Sequence, residues 1–391
     1  MRKLNLNKSD SVIKELKQIG VDTNVYSLFV NKADYKVLKF EGLSCAQANV
    51  LKQTALICGA DLAIPKTAYS GSIKKIPAIL FANSREIEKI KMRLDEQSWM
   101  EPISKQLSEM LLANPPVILK IGNKKIRFNR TYIMGVINIT PDSFFSGSRY
   151  TTKKTVEKMA REMEKEGADF LDIGAESSRP GAKPVDRKEE IQRLKKVLPA
   201  VIKNTSIPIS IDTYKADTAS FAIDQGVKII NDISGLSFDK KMAGVVAKNK
   251  ASLIIMHIKG TPRTMQVNPQ YKDLMGEIYH YLKGKIDFAK QKGVELNRII
   301  IDPGFGFGKR LEDNYEIINR LNELTTFGRP VLVGHSRKSF IGKPFNIPPE
   351  QRLEGSLGVE AILIRNGASI IRTHDVLEAK KVAMLIDKIK Q

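Results

Sequence analysis

The sequence is poor in the residues that hold small secreted domains together and has no long apolar segments. Its 391 residues include two cysteines, Cys45 and Cys58, which are too few for a disulfide framework and fit no paired metal-binding spacing. No apolar run approaches the ~18 residues of a membrane span. The basic start, Met1–Lys8, is not followed by the apolar core of a secretory signal. We therefore expect a cytoplasmic protein with no membrane partner.

The excess of positive charge lacks the pattern of a nucleic-acid-binding protein. The chain has 64 Lys and Arg against 43 Asp and Glu, a net charge of +21. The basic residues are spread along the whole chain and alternate with Glu, as in 153–158, and no RNA-binding motif, zinc-finger spacing or basic stripe with aromatic residues occurs. We therefore expect solvated lysine-rich helix faces that attract small anions, and no nucleic-acid partner.

Residues 1–115 predict a small α+β domain whose role the sequence does not give, with packing or dimerisation as the default. The predicted elements are a polar helix within 1–20, strands at Tyr35–Phe40 and Ile76–Ala82, and helices opened by Ser44 and Ser84 and spanning 103–113. The predicted buried positions are Val50, Leu51, Ile57 and Cys58 on one helix and Ile87, Ile90 and Leu94 on the next. Asn114–Pro116 begins a linker and barrel entry over 116–130.

From 131 to 391 short β-rich runs alternate with long amphipathic segments eight times. The predicted strands are Tyr132–Ile139, Phe170–Gly174, Ile207–Asp212, Ile229–Ile233, Leu253–His257, Ile299–Asp302, Val331–Gly334 and Ile370–Arg372. The predicted helices are 153–167, 187–204, 215–225, 239–249, 272–292, 311–326, 349–366 and 376–389. Because each parallel strand pair needs a crossover helix, eight such units predict a (β/α)₈ barrel of the α/β class, with an open doubly wound sheet as the alternative.

Almost every predicted strand ends in a side chain that can do chemistry. These strand ends carry Asn138, Asp172, Asp212, Asn231, His257 and Asp302, and the last two strands lead into Ser336–Lys338 and Arg372–Asp375. One polar strand end is usually a turn residue or a helix cap. Eight of them meet at the C-terminal face of a barrel, where the active sites of this fold lie.

The mixture of residue types indicates the kind of ligand. Carboxylates and an amide (Asp212, Asn231 and Asp302) suit a nitrogen-rich heterocycle with N–H donors, and the nearby cations suit a phosphate or diphosphate. The stretch Pro303–Lys309 is not a nucleotide phosphate loop, because that motif needs Gly at 303 and Ser or Thr at 310. The residue types alone therefore indicate a phosphorylated heterocycle as the ligand.

Taken together, nine ordered segments resemble the dihydropteroate synthase family. The segments are Gly135–Phe144, Asp172–Ala182, Ile209–Thr213, Ile230–Ser234, Met256–Gly260, Asp302–Lys309, Gly334–Gly342, Glu354–Ser356 and Ile371–Val376. The resemblance covers about 130–391, and residues 1–115 resemble an N-terminal extension of some members. It implies a (β/α)₈ barrel that condenses 6-hydroxymethyl-7,8-dihydropterin diphosphate with p-aminobenzoate, using Mg²⁺, in a protein that is usually a homodimer.

The resemblance also implies a role for each matched residue. The pterin would contact Asp212, Asn231, Ile233, Met256, Asp302, Gly334 and Lys338. The diphosphate would contact Asn138, Ser178, Arg179, Arg372 and His374, with Asn138 as the Mg²⁺ ligand. The aminobenzoate would be bordered by Ser178, Pro180, Phe307, Lys338 and Ser339, with loops at 142–148 and 177–182 closing over it. The catalytic residues would be Asp212, Asp302, Lys338 and Asn138.

Three departures from the family pattern and two alternative functions remain. Ala175–Ser178 and Phe144–Gly147 each differ from the usual motif, and His335 replaces a usually aliphatic residue. We expect these changes to affect aminobenzoate affinity or loop closure and not the reaction. The alternative functions are a pterin-dependent methyltransferase that acts on a corrinoid protein, which would have no use for the anion-binding residues, and a non-catalytic pterin-binding module.

Overall fold

The structure is a computed structural model that describes residues 1–4, 6, 9–71, 74–111, 117–139, 153–177 and 181–390. It divides into two compact units, Met1–Pro115 and Pro116–Gln391, which are described in turn. In the part of the chain that is described, no helix has the length and apolar character needed to cross a membrane.

The first unit is a three-stranded antiparallel sheet packed against helices. Its strands are β1 (Tyr35–Leu43), β2 (Asp61–Ala63) and β3 (Ile76–Asn83), in the order β1-β3-β2. Its helices are α1 (Ser9–Gln18), α2 (Tyr26–Ala33), α3 (Cys45–Cys58), α4 (Thr67–Ser70), α5 (Ser84–Asp95) and α6 (Glu101–Leu111). Side chains alternate along β3, so that one face forms the core with α3, α5 and α6 while the other face is exposed.

Several details of this unit differ from the prediction. The Ser44 capping box with Gln47 is confirmed, but α5 is capped by Asn83, and Ser84 lies inside the helix. Ile57 is 65% exposed, because the buried stripe of α3 runs through Leu51 and Cys58. Helix α2 and strand β2 were not predicted, and the linker at 114–116 lies outside the described residues.

The second unit confirms the predicted (β/α)₈ barrel. The parallel strands are β6 (Tyr132–Asn138), β7 (Phe170–Gly174), β8 (Ile209–Asp212), β9 (Ile229–Asp232), β10 (Ser252–Met256), β11 (Ile299–Asp302), β12 (Leu332–Val333) and β13 (Ile370–Thr373). Their order is β11-β10-β9-β8-β7-β6-β13-β12, and a parallel bridge between Ile301 and Val331 joins the two ends. Runs of isoleucine such as 299–301 suit strands that are buried on both faces.

Helices surround the barrel at the predicted places. They are α7 (Lys153–Lys165), α8 (Arg187–Asn204), α9 (Ala216–Asp224), α10 (Met242–Lys248), α11 (Leu274–Gln291), α12 (Leu311–Arg320), α13 (Ser339–Gly342), α14 (Leu353–Arg365) and α15 (Val376–Lys390). Three predicted helices are clearly shorter as α-helices, since α10 begins at Met242, α12 continues as a 3₁₀ helix over Leu321–Phe327, and a 3₁₀ turn at Pro349–Gln351 precedes α14. The short helix α13 was not predicted.

A hairpin closes the N-terminal end of the barrel. It consists of β4 (Ile118–Ile121) and β5 (Lys124–Arg127), within the stretch predicted as linker and barrel entry. Leu119 and Ile121 are buried in a cluster with residues at the starts of the barrel strands, such as Phe170 and Ile370. The opposite end, where the strands finish, is therefore the end available for a site.

Candidate active site

Side chains from four strands form a hydrogen-bonded cluster at the C-terminal end of the barrel. The Arg372 guanidinium on β13 donates from Nε to Asp172 on β7 (2.7 Å) and from Nη2 to Asp212 on β8 (3.1 Å). The Asn231 amide on β9 donates to the same Asp172 oxygen (2.9 Å). The parallel register carries residues 200 positions apart in sequence into one cluster, as the strand-end argument predicts.

The cluster is buried and incompletely satisfied. Asp172 is 0% exposed and Asn231 is 3% exposed. Among the described residues, Asp172 Oδ1 and Asn231 Oδ1 have no hydrogen-bond partner. A buried acceptor without a partner is costly, so these two oxygens are available to a ligand with N–H groups.

Asp302 and Lys338 add a second pair of charges beside this cluster. Burial raises the pKa of the Asp302 carboxyl, while a hydrogen bond from the Gly304 N–H (2.7 Å) opposes that shift. Burial lowers the pKa of Lys338 to about 8, against the pull of Asp302 and Asp212. Burial likewise raises the pKa of Asp212 to about 7, and Arg372 opposes that shift. The predicted catalytic carboxylates and lysine therefore lie within electrostatic reach of one another.

An apolar wall stands next to the charged cluster. The predicted residues Ile233, Met256 and Phe307 pack in one cluster, and the sequence reasoning missed its other members, Ile258, Met265 and Tyr214. The Lys338 ammonium lies 4.7 Å from the centroid of the Phe307 ring, an arrangement that favours a cation. A cavity beside this wall is lined by Glu176, Ser177, Asp212, Thr213, Tyr214, Ile233 and Pro262. A flat ligand ring that is hydrogen-bonded to Asp212 would pack against the apolar side chains of this wall.

The remaining predicted residues are distributed around the mouth. Asn138 ends β6 opposite Gly174, where an added Cβ would lie 3.3 Å from the Asn138 oxygen. His374 Nδ1 lies 3.2 Å from Ser336 Oγ at the exposed rim. Ser339 is the first residue of α13. This helix has only four residues, so its N-terminus can donate N–H groups to a ligand but has only a small dipole. Gly334 is buried beside Arg372.

Part of the predicted site lies outside the described residues. Ser178, Arg179 and Pro180 are in this group, as is the loop at 142–148. Their predicted contacts with diphosphate and aminobenzoate stay predictions. The predicted contact of Arg372 with diphosphate also stays a prediction, and the structure adds its pairing with two carboxylates.

The structure gives both buried histidines of the mouth region structural partners. His257 Nδ1 lies 2.9 Å from Lys309 Nζ, and His335 Nε2 lies 3.1 Å from the Ser356 carbonyl oxygen. Burial lowers the pKa of Lys309 to about 7 and that of His335 to about 4. His335 is therefore neutral at physiological pH.

Sequence reasoning missed a network that supports the loop after β7. Lys215 donates to Glu176 and, at 2.8 Å, to Glu190, and the Tyr214 hydroxyl donates to Glu176 at 2.8 Å. Glu176 belongs to the quoted motif, but nothing in the sequence pairs it with Lys215. In the described residues no three His, Cys, Asp or Glu side chains are grouped as a metal site.

Comparison with known proteins identifies one family for the barrel unit. The pterin binding enzyme family matches residues 134–374. A dihydropteroate synthase from Clostridium beijerinckii is 42% identical over 273 residues, 69% of this chain and 99% of the relative. A Xanthomonas albilineans dihydropteroate synthase structure with 4-aminobenzoic acid superposes with a TM-score of 0.66 at 34% identity, covering 71% of this chain and 99% of that one.

One relative is similar along nearly the whole chain. A bifunctional dihydropteroate synthase/dihydropteroate reductase from Helicobacter pylori is 33% identical over 374 residues, 94% of each chain. The match therefore extends into Met1–Pro115, which the Clostridium relative largely lacks. The chain belongs to the pterin binding enzyme family and, within it, to the dihydropteroate synthases.

Proposed function

We propose that the protein is a dihydropteroate synthase. It transfers the hydroxymethyldihydropterin group from its diphosphate ester to the amine of p-aminobenzoate, forming 7,8-dihydropteroate and releasing diphosphate. The observation that carries this proposal is the cluster of Asp172, Asp212, Asn231, Asp302 and Lys338 at the barrel mouth, in which buried oxygens of Asp172 and Asn231 have no partner among the described residues. Relatives at about 40% identity carry the same name.

The cluster suits recognition of the pterin ring. The Asp212 and Asp302 carboxylates and the Asn231 amide oxygen accept hydrogen bonds from the ring N–H groups, and Lys338 donates to a ring acceptor. Ile233 and Met256 supply the apolar contact for the ring face. A pterin ring that makes these hydrogen bonds takes the place of the water that would otherwise solvate the charged side chains.

The chain promotes reaction mainly through electrostatics and orientation. When the C–O bond to diphosphate breaks, the electron-rich dihydropterin is left as a delocalised cation, which Asp212 and Asp302 stabilise in an SN1-like step. The aniline nitrogen forms a C–N bond with this carbon and then loses a proton to solvent water. Holding both substrates in line can contribute about 7–11 kcal/mol. No covalent intermediate with the protein is needed.

Mg²⁺ fits the residues at the diphosphate end. Asn138 offers an amide oxygen at the end of β6, next to Gly174, and oxygen ligands of this kind together with substrate phosphates are what Mg²⁺ prefers. When bound, the ion would neutralise the charge of the departing diphosphate. Arg179, His374 and Ser178 would bind the phosphate oxygens, and Ser178, Pro180, Phe307, Lys338 and Ser339 would border the aminobenzoate.

The test is diphosphate release from the purified protein with pterin diphosphate, p-aminobenzoate and Mg²⁺, each left out in turn. Release that requires all three supports the synthase. Pterin binding without release favours a non-catalytic module, and methyl transfer to a corrinoid protein favours the methyltransferase.

A second copy of the chain is the proposed partner. Ile362 on α14 and Leu385 and Ile389 on α15 are 47%, 60% and 63% exposed, which favours burial in a homodimer. Sedimentation of the wild type and of a Leu385→Lys variant tests this proposal: a dimer that becomes a monomer supports it, and a wild-type monomer contradicts it. The compartment we propose is the cytoplasm.

A second activity, reduction of dihydropteroate, is favoured by the Helicobacter pylori relative. Its match reaches into Met1–Pro115, and its name includes dihydropteroate reductase. The full chain would be supplied with 7,8-dihydropteroate and NADPH, with and without a flavin, and tetrahydropteroate would be measured. Product formation that needs both reductant and protein supports this activity, and its absence under all these conditions contradicts it.

A further inference from the structure

The loop after β11 is fixed in place along its whole length. Gly304, Gly306 and Gly308 have φ values of 68°, 77° and 66°, which favour glycine. A Cβ at Gly304 would lie 2.1 Å from the His257 carbonyl oxygen, and one at Gly308 would lie 2.4 Å from that of Lys259. The loop therefore packs directly on the backbone that follows β10.

Four consecutive carbonyl groups of this loop each accept a hydrogen bond from a side chain. The four donors are Lys338 Nζ to Phe305 O (2.5 Å), Gln266 Nε2 to Gly306 O (2.6 Å), Lys309 Nζ to Phe307 O (3.1 Å) and Tyr271 hydroxyl to Gly308 O (2.6 Å). On the other side, the Gly306 N–H donates to Asn314 Oδ1 (2.8 Å). Backbone segments whose polar groups face solvent open most readily, so this degree of pairing indicates a loop that is held in one position.

Two of the four donors come from the segment between β10 and α11, which carries none of the predicted substrate contacts. Gln266 and Tyr271 lie in this segment, and Met265 from the same segment packs in the apolar wall with Phe307. The Tyr271 ring is itself held, with Lys259 Nζ 4.0 Å from its centroid. Phe307 is thus supported through its own packing and through the carbonyls on either side of it.

We propose that Tyr271 and Gln266 are positioning residues that set the affinity for p-aminobenzoate by holding the Phe307 loop against the barrel mouth. This inference rests on the proposed function. Neither side chain needs to touch substrate. They act through the Gly306 and Gly308 carbonyls, which bracket the aromatic side chain that would border the aminobenzoate ring.

The Tyr271 hydroxyl is suited to this role across the working pH range. Burial raises its pKa well above the ordinary value for tyrosine, with Asp313 and Glu277 adding to the shift. It therefore remains a protonated donor to Gly308.

The experiment is steady-state kinetics of the full chain carrying Tyr271→Phe, which removes one hydroxyl and keeps the ring. The loss of one hydrogen bond of ordinary strength predicts a rise of about fivefold in KM for p-aminobenzoate. The KM for the pterin diphosphate should remain within about twofold, because the charged cluster is untouched. Gln266→Leu should shift KM for p-aminobenzoate in the same direction and provides a second variant.

Tyr132→Phe is the matched control. It removes a tyrosine hydroxyl that also donates to a backbone carbonyl, that of Arg127 (3.2 Å), at the opposite end of the barrel. Both KM values should match the wild type. An unchanged KM for p-aminobenzoate in both loop variants, or equal changes in both KM values, would overturn the inference. Because the wild type is assayed alongside, failure of the proposed function would appear separately as a lack of turnover in every sample.

Discussion

The two units of the chain bury different kinds of side chain. Among the described residues of Met1–Pro115, the buried polar side chains are the hydroxyls of Thr54, Ser84 and Ser104. The described part of Pro116–Gln391 instead buries charged or titratable groups, including Asp172, Glu190, Asp232, His257, Asp302, Lys309, His335 and Glu360. Because buried charges seldom add to stability, those at the C-terminal ends of the strands, such as Asp172 and Asp302, indicate where the chain carries out chemistry.

The first unit has the local features of a stable fold instead. Its core strand β3 alternates strictly, and its helices α3 and α5 both start with complete capping boxes, at Ser44 with Gln47 and at Asn83 with Glu86. Substitutions should therefore affect the two units differently: in the barrel mouth they should change synthase activity, and in the first unit they should change stability and leave synthase activity unaltered.

The largest effect is expected from Arg372→Ala. This variant leaves the buried Asp172 carboxylate without its counter-ion, which costs about 3–5 kcal/mol, and it removes the cation between two carboxylates. We expect kcat/KM to fall about 10²–10³-fold, together with a lower Tm. Arg365→Ala, on the exposed end of α14, is the control and should change neither value. Near-normal activity of Arg372→Ala would show that the cluster is only structural.

Leu80→Ala makes the converse change in the first unit. Leu80 is 0% exposed in the centre of β3, so its truncation should cost about 2–5 kcal/mol of unfolding free energy. Below the transition temperature kcat and both KM values should be those of the wild type. Leu56→Ala, at a 48% exposed position on α3, should change stability little. If Leu80→Ala also lost synthase activity below its transition temperature, the expected difference between the two units would be contradicted.

The dependence of kcat/KM on pH should reflect the ionisation of Lys338. Burial lowers its pKa to about 8, so the side chain is charged below that pH and neutral above it. We expect kcat/KM for the pterin diphosphate to fall about tenfold per unit above pH 8. Lys338→Arg keeps a cation at every pH, and in this variant the alkaline decrease should disappear. An identical decrease in both proteins would assign it to another group.

The smallest effect is expected from Asn83→Ala. The Asn83 oxygen accepts from the Glu86 N–H (3.0 Å), so its removal should cost about 1 kcal/mol. Asn83→Asp keeps the capping oxygen and should remain close to the wild type. Denaturant unfolding measures both variants, and equal losses would contradict the assignment of Asn83 as the cap.

Sequence alone predicts the regular part of this fold. Strands Phe170–Gly174 and Ile299–Asp302 and helix Arg187–Asn204 have the predicted bounds, because strong apolar periodicity coincides there with clear stop signals. The sequence reasoning missed the β4–β5 hairpin, since each strand has only four residues and β5 has a single apolar residue, Ile126. The sequence pattern predicts Ile57 in the core, but the face of α3 that packs on the sheet contains Leu51 and Cys58 and leaves Ile57 exposed.

Sequence alone predicts several of the charged and polar residues that the structure brings together at the barrel mouth, and only some of their contacts. The strand-end rule identifies Asp212, Asn231 and Asp302, because register in a parallel barrel is regular. It does not show that Arg372 binds Asp172 and Asp212, since that pairing depends on side-chain direction between distant strands. The hydrogen bonds of Tyr271 and Gln266 to loop carbonyls leave no sequence pattern at all.

The most direct test of the account is the dihydropteroate formed by the wild type and by Asp302→Asn from pterin diphosphate, p-aminobenzoate and Mg²⁺. Product should appear in a one-to-one ratio with diphosphate in the wild type. In the variant it should fall about 10²-fold or more, because the amide replaces a carboxylate facing the developing cation. Equal product formation by both proteins, or diphosphate release without dihydropteroate, would contradict the assignment of the buried strand-end cluster as the synthase site.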